Sequence, residues 1–156
     1  MRLSCQKAFI LAVVSTLACH EATAPPISNG YLLESINGQP LPANIQAEAG
    51  DTITVLFGFL FLNGPEKAQL TEQIRYVHPN SPAGEATNNT EYSYSISGNP
   101  VIGQKMVLDY SPPCGPNTVC AAPPQGRFVG SKLILFYGAA PGSRPPSLYR
   151  PVALTD

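Results

Sequence analysis

Proline and glycine interrupt this chain more closely than a long helix tolerates. Seventeen prolines and thirteen glycines fall among 156 residues, about one residue in five, against roughly one in eight in an average chain. An internal proline removes a backbone donor and clashes with the preceding helical turn. The chain is therefore cut into segments too short for a helical bundle. Between the breaks lie β-branched and aromatic residues in alternating patterns, which predict short strands. Hydrophobic residues, at 44%, are sufficient for one core. Charged residues are only 12% and the formal net charge is −1, which excludes a strongly basic nucleic-acid binder.

Residues 30–37 (GYLLESIN) predict a first strand that ends at the turn dipeptide Asn37-Gly38. Residues 51–62 (DTITVLFGFLFL) form the most apolar stretch beyond the N-terminal segment, and Gly58 within it predicts a bulge or a barrel corner. In residues 68–77 (AQLTEQIRYV), Leu70, Ile74 and Val77 have helical spacing, while Ala68, Leu70, Ile74 and Tyr76 fall on one strand face. A strand is favoured, because only a turn separates this segment from the apolar strand before it. Residues 78–90 (HPNSPAGEATNNT) read as a loop, including the Asn88-Asn89-Thr90 sequon. Residues 91–98 (EYSYSISG) alternate cleanly, with Tyr92, Tyr94 and Ile96 on one face. Residues 101–110 put Met106, Leu108 and Tyr110 on one side, and residues 127–137 form a hairpin about Gly130-Ser131. Residues 133–136 are apolar on both faces, as in a central strand. Pro151 places the last segment, residues 147–154, near an edge. The fold class expected is all-β: an antiparallel meander of about eight short strands, forming an up-and-down barrel or a strongly bent meander. Eight strands enclose an interior that side chains fill, or that holds one small ligand.

The first residues are an address rather than fold. A short basic segment with Arg2 and Lys7 precedes an apolar run over residues 8–18 (AFILAVVSTLA). That run is too short to span a bilayer, which takes about 20 residues, and suits the core of a secretory signal. It ends at Thr16-Leu17-Ala18-Cys19, which resembles the lipobox of bacterial lipoproteins. Ala18 and Cys19 match that pattern, and Thr16 replaces its usual leucine. The resemblance implies cleavage before Cys19, acylation of that cysteine, and attachment to the bacterial cell envelope. His20 stands where that family's inner-membrane retention signal has Asp, which points to the outer membrane. The expected organisation is a signal peptide at 1–18, an acylated Cys19 with a polar Pro-containing tether to residue 28, and one β-domain over 29–156.

With Cys5 in the signal and Cys19 acylated, Cys114 and Cys120 remain, separated by Gly-Pro-Asn-Thr-Val. Two thiols flanking a turn in an exported domain predict a disulfide that closes the Pro-rich loop 111–125 (SPPCGPNTVCAAPPQ). The spacing is too wide for a Cys-x-x-Cys redox pair and no further ligands accompany it, so no metal is expected there.

The opening 30–42 (GYLLESINGQPLP) is similar to that of small lipocalin-like or META-like bacterial lipoprotein domains, which start with a tyrosine strand, an Asn-Gly turn and a Pro-containing bend. The resemblance implies a lipocalin-like barrel fold and an envelope location, and it brings no catalytic residues. The residues themselves point the same way. His78 lies in a polar loop with no nucleophile assigned to it, so a Ser-His-Asp or Cys-His site is not expected. Glu34, Glu72, Glu91 and Asp109 are expected to face outward, and a catalytic role would need a buried polar cluster around Glu34, Glu72 or Asp109. No cofactor, metal or nucleic acid is expected. The function expected is a non-enzymatic, lipid-anchored barrel that binds a small apolar ligand or acts as a scaffold. Its candidate cavity residues are Leu33, Phe57, Phe59, Tyr92, Tyr94, Met106 and Phe136. The alternative is a protein-binding module, such as an inhibitor of a surface hydrolase, presenting the cystine loop 111–125 to an envelope protein.

Overall fold

The computed structural model describes residues 27–46, 51–100, 103–116, 120–138 and 144–153. The expected signal segment, Cys19 and most of the tether lie outside these residues. The described chain forms strands β1 (Gly30–Ile36), β2 (Gln39–Pro40), β3 (Ala43–Gln46), β4 (Thr52–Asn63), β5 (Lys67–Val77), β6 (Gly84–Asn99), β7 (Gly103–Tyr110), β8 (Gln125–Val129), β9 (Lys132–Phe136) and β10 (Ser147–Val152). From β4 to β10 each strand pairs antiparallel with the next. β1 then pairs with β10 on one side and β4 on the other. The result is a closed eight-stranded antiparallel barrel, consistent with a lipocalin-like architecture, with β2 and β3 added beside β1 and β4.

Alternation fills the interior. Leu60 and Leu62 from β4, Ala68 and Leu70 from β5, Met106 and Leu108 from β7, and Leu133 and Leu135 from β9 are all buried. Tyr31 and Leu33 of β1 and Tyr149 of β10 complete the core. Two register shifts change the phase of the alternation, one between Leu33 and Ser35 and one between Val55 and Phe57. An extra residue in one strand reverses which side chains face the core beyond it. Ile36 is thus buried although Glu34 is not, and after Val55 the inward positions of β4 become Gly58, Leu60 and Leu62. Gly58 is also where β4 lies close to β1. A Cβ there would sit 2.8 Å from Leu33 Cδ2.

Turn chemistry follows the sequence. Asn37 and Gly38 both have positive φ, 49° and 77°, and join β1 to β2 in the two-residue geometry that favours Asn-Gly. Gly130-Ser131 joins β8 to β9. The segment 68–77 is strand throughout.

Three expectations change. Residues 84–90 belong to β6, pairing with β5 from Tyr76↔Gly84 onward, so only residues 78–83 form the loop. Their Thr and Asn side chains are compatible with an outlying strand, where burial does not demand apolar residues. Residues 43–46 add the short strand β3, paired to β4. Pro151 is not on a sheet edge, because β10 lies between β1 and β9. It sits opposite Tyr31, past the Tyr149↔Leu133 end of the β9 ladder, where no donor toward β9 is required.

Candidate functional site

β6 is much longer than its neighbour β7. Their pairing starts at Tyr92↔Tyr110, and residues 84–91 run past the end of β7 with β5 alongside. The chain leaving β7 returns to β8 through the cystine loop. At this end of the barrel the two walls stand apart, and a cavity of about 820 Å³ opens between them. It is lined by Asn88, Thr90 and Tyr92 of β6, by Tyr110, by Ala121, Ala122 and Pro124 ahead of β8, and by Glu72, Tyr137 and Arg144 at its base. That volume falls in the range of small-molecule sites, roughly 300–1,000 Å³.

The base is polar. Glu72 continues the inward row of Ala68 and Leu70 on β5. Arg144, just ahead of β10, donates from Nη1 to Glu72 Oε1. The two side chains are only 11% and 13% exposed. The Arg144 guanidinium carbon lies 4.7 Å from the centre of the Tyr137 ring, a cation–π arrangement. Among the described residues, the buried hydroxyls of Tyr137 and Tyr149 interact only weakly, with each other and with Ser147, and Arg144 Nε and Nη2 have no hydrogen-bond partner. Such orphans are uncommon, and each costs about 1–3 kcal/mol. Higher in the cavity, Tyr92 and Tyr110 stack at 5.4 Å.

Protonation at the base is settled by burial. The Tyr137 phenol is pushed above the ordinary tyrosine value by desolvation, against the lowering effect of Arg144. Tyr149, wholly buried, is pushed well above it by desolvation and by Tyr137. Tyr92 is raised by desolvation and then by Tyr110. Burial pulls Arg144 down, but Tyr137 and Glu72 more than restore it, so it lies above the ordinary arginine value. At neutral pH the base therefore presents a guanidinium and protonated phenols. Its guanidinium edge carries two donors that the Glu72 carboxylate does not meet.

The expected cavity residues divide. Leu33 and Met106 are packed in the core below the cavity, and Tyr92 lines it. Tyr94 packs against the core and donates to Gly64 O at 2.8 Å. Phe57 and Phe136 face outward, each 40% exposed, and Phe59 lies on the outer face between the buried Gly58 and Leu60. The β4 register shift accounts for Phe57 and Phe59. Simple alternation from the inward Leu135 accounts for Phe136. Of the four carboxylates expected outside, Glu34 pairs with Lys132 at 2.9 Å on the outer face, and Glu91 and Asp109 are exposed. Glu72 is the correction: it lies inside, at the centre of a buried polar cluster. His78 lies in the exposed 78–83 loop, as expected, and its Nδ1 contacts Asp51 Oδ1. Cys114 and Cys120 lie at disulfide distance, with Cα atoms 6.4 Å apart.

Arg144 and Tyr149 were not foreseen from sequence. The available signal was the isolation of Arg144, a single charge in a Pro/Gly-rich connection between two apolar strands. Among the described residues, no group of three or more His, Cys, Asp or Glu side chains is placed to hold a metal ion. No protein-family model, curated protein or solved structure matches the chain.

Proposed function

We propose that this protein is a binding barrel, held at the bacterial envelope by a lipid on Cys19, that takes a small molecule into the cavity above Arg144. The buried cluster at Glu72 is read as a binding site rather than a catalytic one because its carboxylate is engaged by the Arg144 guanidinium. The observation that carries the reading is the cavity itself: about 820 Å³, open at one end of a closed barrel, with unsatisfied donors at its base. A scaffold has no use for such a base, and packing apolar residues there would be more stable. The cystine loop supports the same reading over that of a hydrolase inhibitor, because its Ala121, Ala122 and Pro124 form cavity wall. The expectation of an apolar ligand is narrowed to one with a polar head.

The anchor rests on the sequence alone. An apolar run ending at Ala18-Cys19 fits a lipoprotein signal, and several acyl chains would hold the domain durably, since one chain binds only marginally.

Protein purified without denaturation from the cells that make it should carry a discrete small-molecule adduct in native mass spectrometry, lost on organic extraction. A bare polypeptide mass from repeated native preparations contradicts the reading.

A further inference from the structure

The pattern of orphan atoms at the cavity base says what the ligand must bring. Glu72 engages Arg144 through Nη1 alone. The two unpartnered nitrogens, Nε and Nη2, form the lateral edge of the guanidinium, whose two N–H bonds run parallel. A planar group with two acceptor oxygens matches that edge with two parallel hydrogen bonds, and a carboxylate is such a group. A single carbonyl or hydroxyl oxygen can meet both donors only through shared, bent hydrogen bonds, which are weaker than two parallel ones. The Tyr137 hydroxyl, buried and protonated beside Arg144, adds a further donor, while the Tyr149 hydroxyl neighbours it but is wholly buried and does not line the cavity. Glu72 and Arg144 neutralise each other, which leaves the spare donors as the feature that selects a ligand.

We infer that the cavity recognises a small organic carboxylate, whose head lies along the Nε/Nη2 edge of Arg144 beside the hydroxyl of Tyr137. The inference rests on the proposed binding function and specifies its ligand class. The body of the ligand occupies the wider part of the cavity, which is lined by the aromatic Tyr92 and Tyr110 and the polar Asn88 and Thr90. A flat, partly polar body suits these walls better than a long alkyl chain. Arg144 sets the head group through its fork geometry, which a lysine ammonium does not reproduce.

The test uses a fluorinated 2-naphthoate and its uncharged carboxamide as probes, with binding to the folded domain followed by ¹⁹F line broadening. The native protein should bind the naphthoate at least tenfold more tightly than the carboxamide. Arg144→Lys should lose at least tenfold in naphthoate affinity while barely changing carboxamide affinity. Tyr137→Phe, which keeps the ring and removes one donor, should weaken the naphthoate severalfold and serves as the readout if the lysine variant does not fold. Equal binding of naphthoate and carboxamide overturns the carboxylate assignment and leaves a binding barrel of another specificity. Displacement of the naphthoate by an equal concentration of inorganic phosphate also overturns it, in favour of a general oxyanion site. Failure of both aromatic probes to bind overturns the carboxylate assignment and the binding function together.

Discussion

At the scale of single residues, the pair formed by Glu72 and Arg144 bears most of the site's energetics. Both side chains are largely withdrawn from water. Their attraction offsets a desolvation cost that neither could meet alone. Glu72→Gln should therefore leave a buried cation without its counter-charge and destabilise the barrel by about 3 kcal/mol. The double replacement Glu72→Leu with Arg144→Met should recover most of that loss, because it removes both buried charges. Urea unfolding of the three variants measures the difference, and a Glu72→Gln protein as stable as the native one would show that the pair is solvated. The role of Glu72 was half legible in the sequence. Its position on the Ala68–Leu70 strand face could be read, but its length and charge argued for the outer face. Only the distant Arg144, brought beneath β5 by closure of the barrel, makes the inward position tenable.

At the scale of elements, two register shifts and one glycine set the shape of the wall. The shift in β4 turns Phe57 and Phe59 outward and brings Gly58, Leu60 and Leu62 in. Gly58 then lets Leu33 of β1 pack directly on the β4 backbone. Gly58→Ala places a methyl group 2.8 Å from Leu33 Cδ2 and 3.0 Å from its Cβ, and should destabilise by about 1–3 kcal/mol through overpacking. Combining it with Leu33→Ala should give a smaller loss than the sum of the two single changes. Strict additivity in thermal unfolding would mean that the seam has room to spare. The strands themselves were legible wherever apolar and polar residues alternate, as at Tyr92, Tyr94 and Ile96. Gly58 also signalled an irregularity. The phase change was not legible, because Val55, Phe57, Phe59 and Phe61 form a continuous alternating row in the sequence and nothing in it marks the inserted residue. The long first half of β6 was hidden for a related reason. Its Asn and Thr residues pair with β5 but bury little, so no hydrophobic period reveals them.

At the scale of the whole molecule, closure of the sheet and the opening of the cavity have one origin. β1 seals the barrel between β10 and β4, which removes free edges from the closed part. The unequal lengths of β6 and β7 then leave one end unsealed, and the cystine loop forms the facing wall without filling the gap. The barrel was legible from turn spacing and strand count. The cavity was not, since it depends on which strands outrun their neighbours and on a connecting-loop arginine that no local pattern assigns to the interior. The central claim is that this unsealed end is occupied by a molecule whose head group meets Arg144. A crystal structure of the protein taken from its own cells, never unfolded, tests it most directly. The account predicts continuous density for a small organic molecule above Tyr137, with two oxygens along the free edge of the Arg144 guanidinium. A cavity holding only solvent, with that edge turned onto a protein carbonyl or carboxylate, would contradict it.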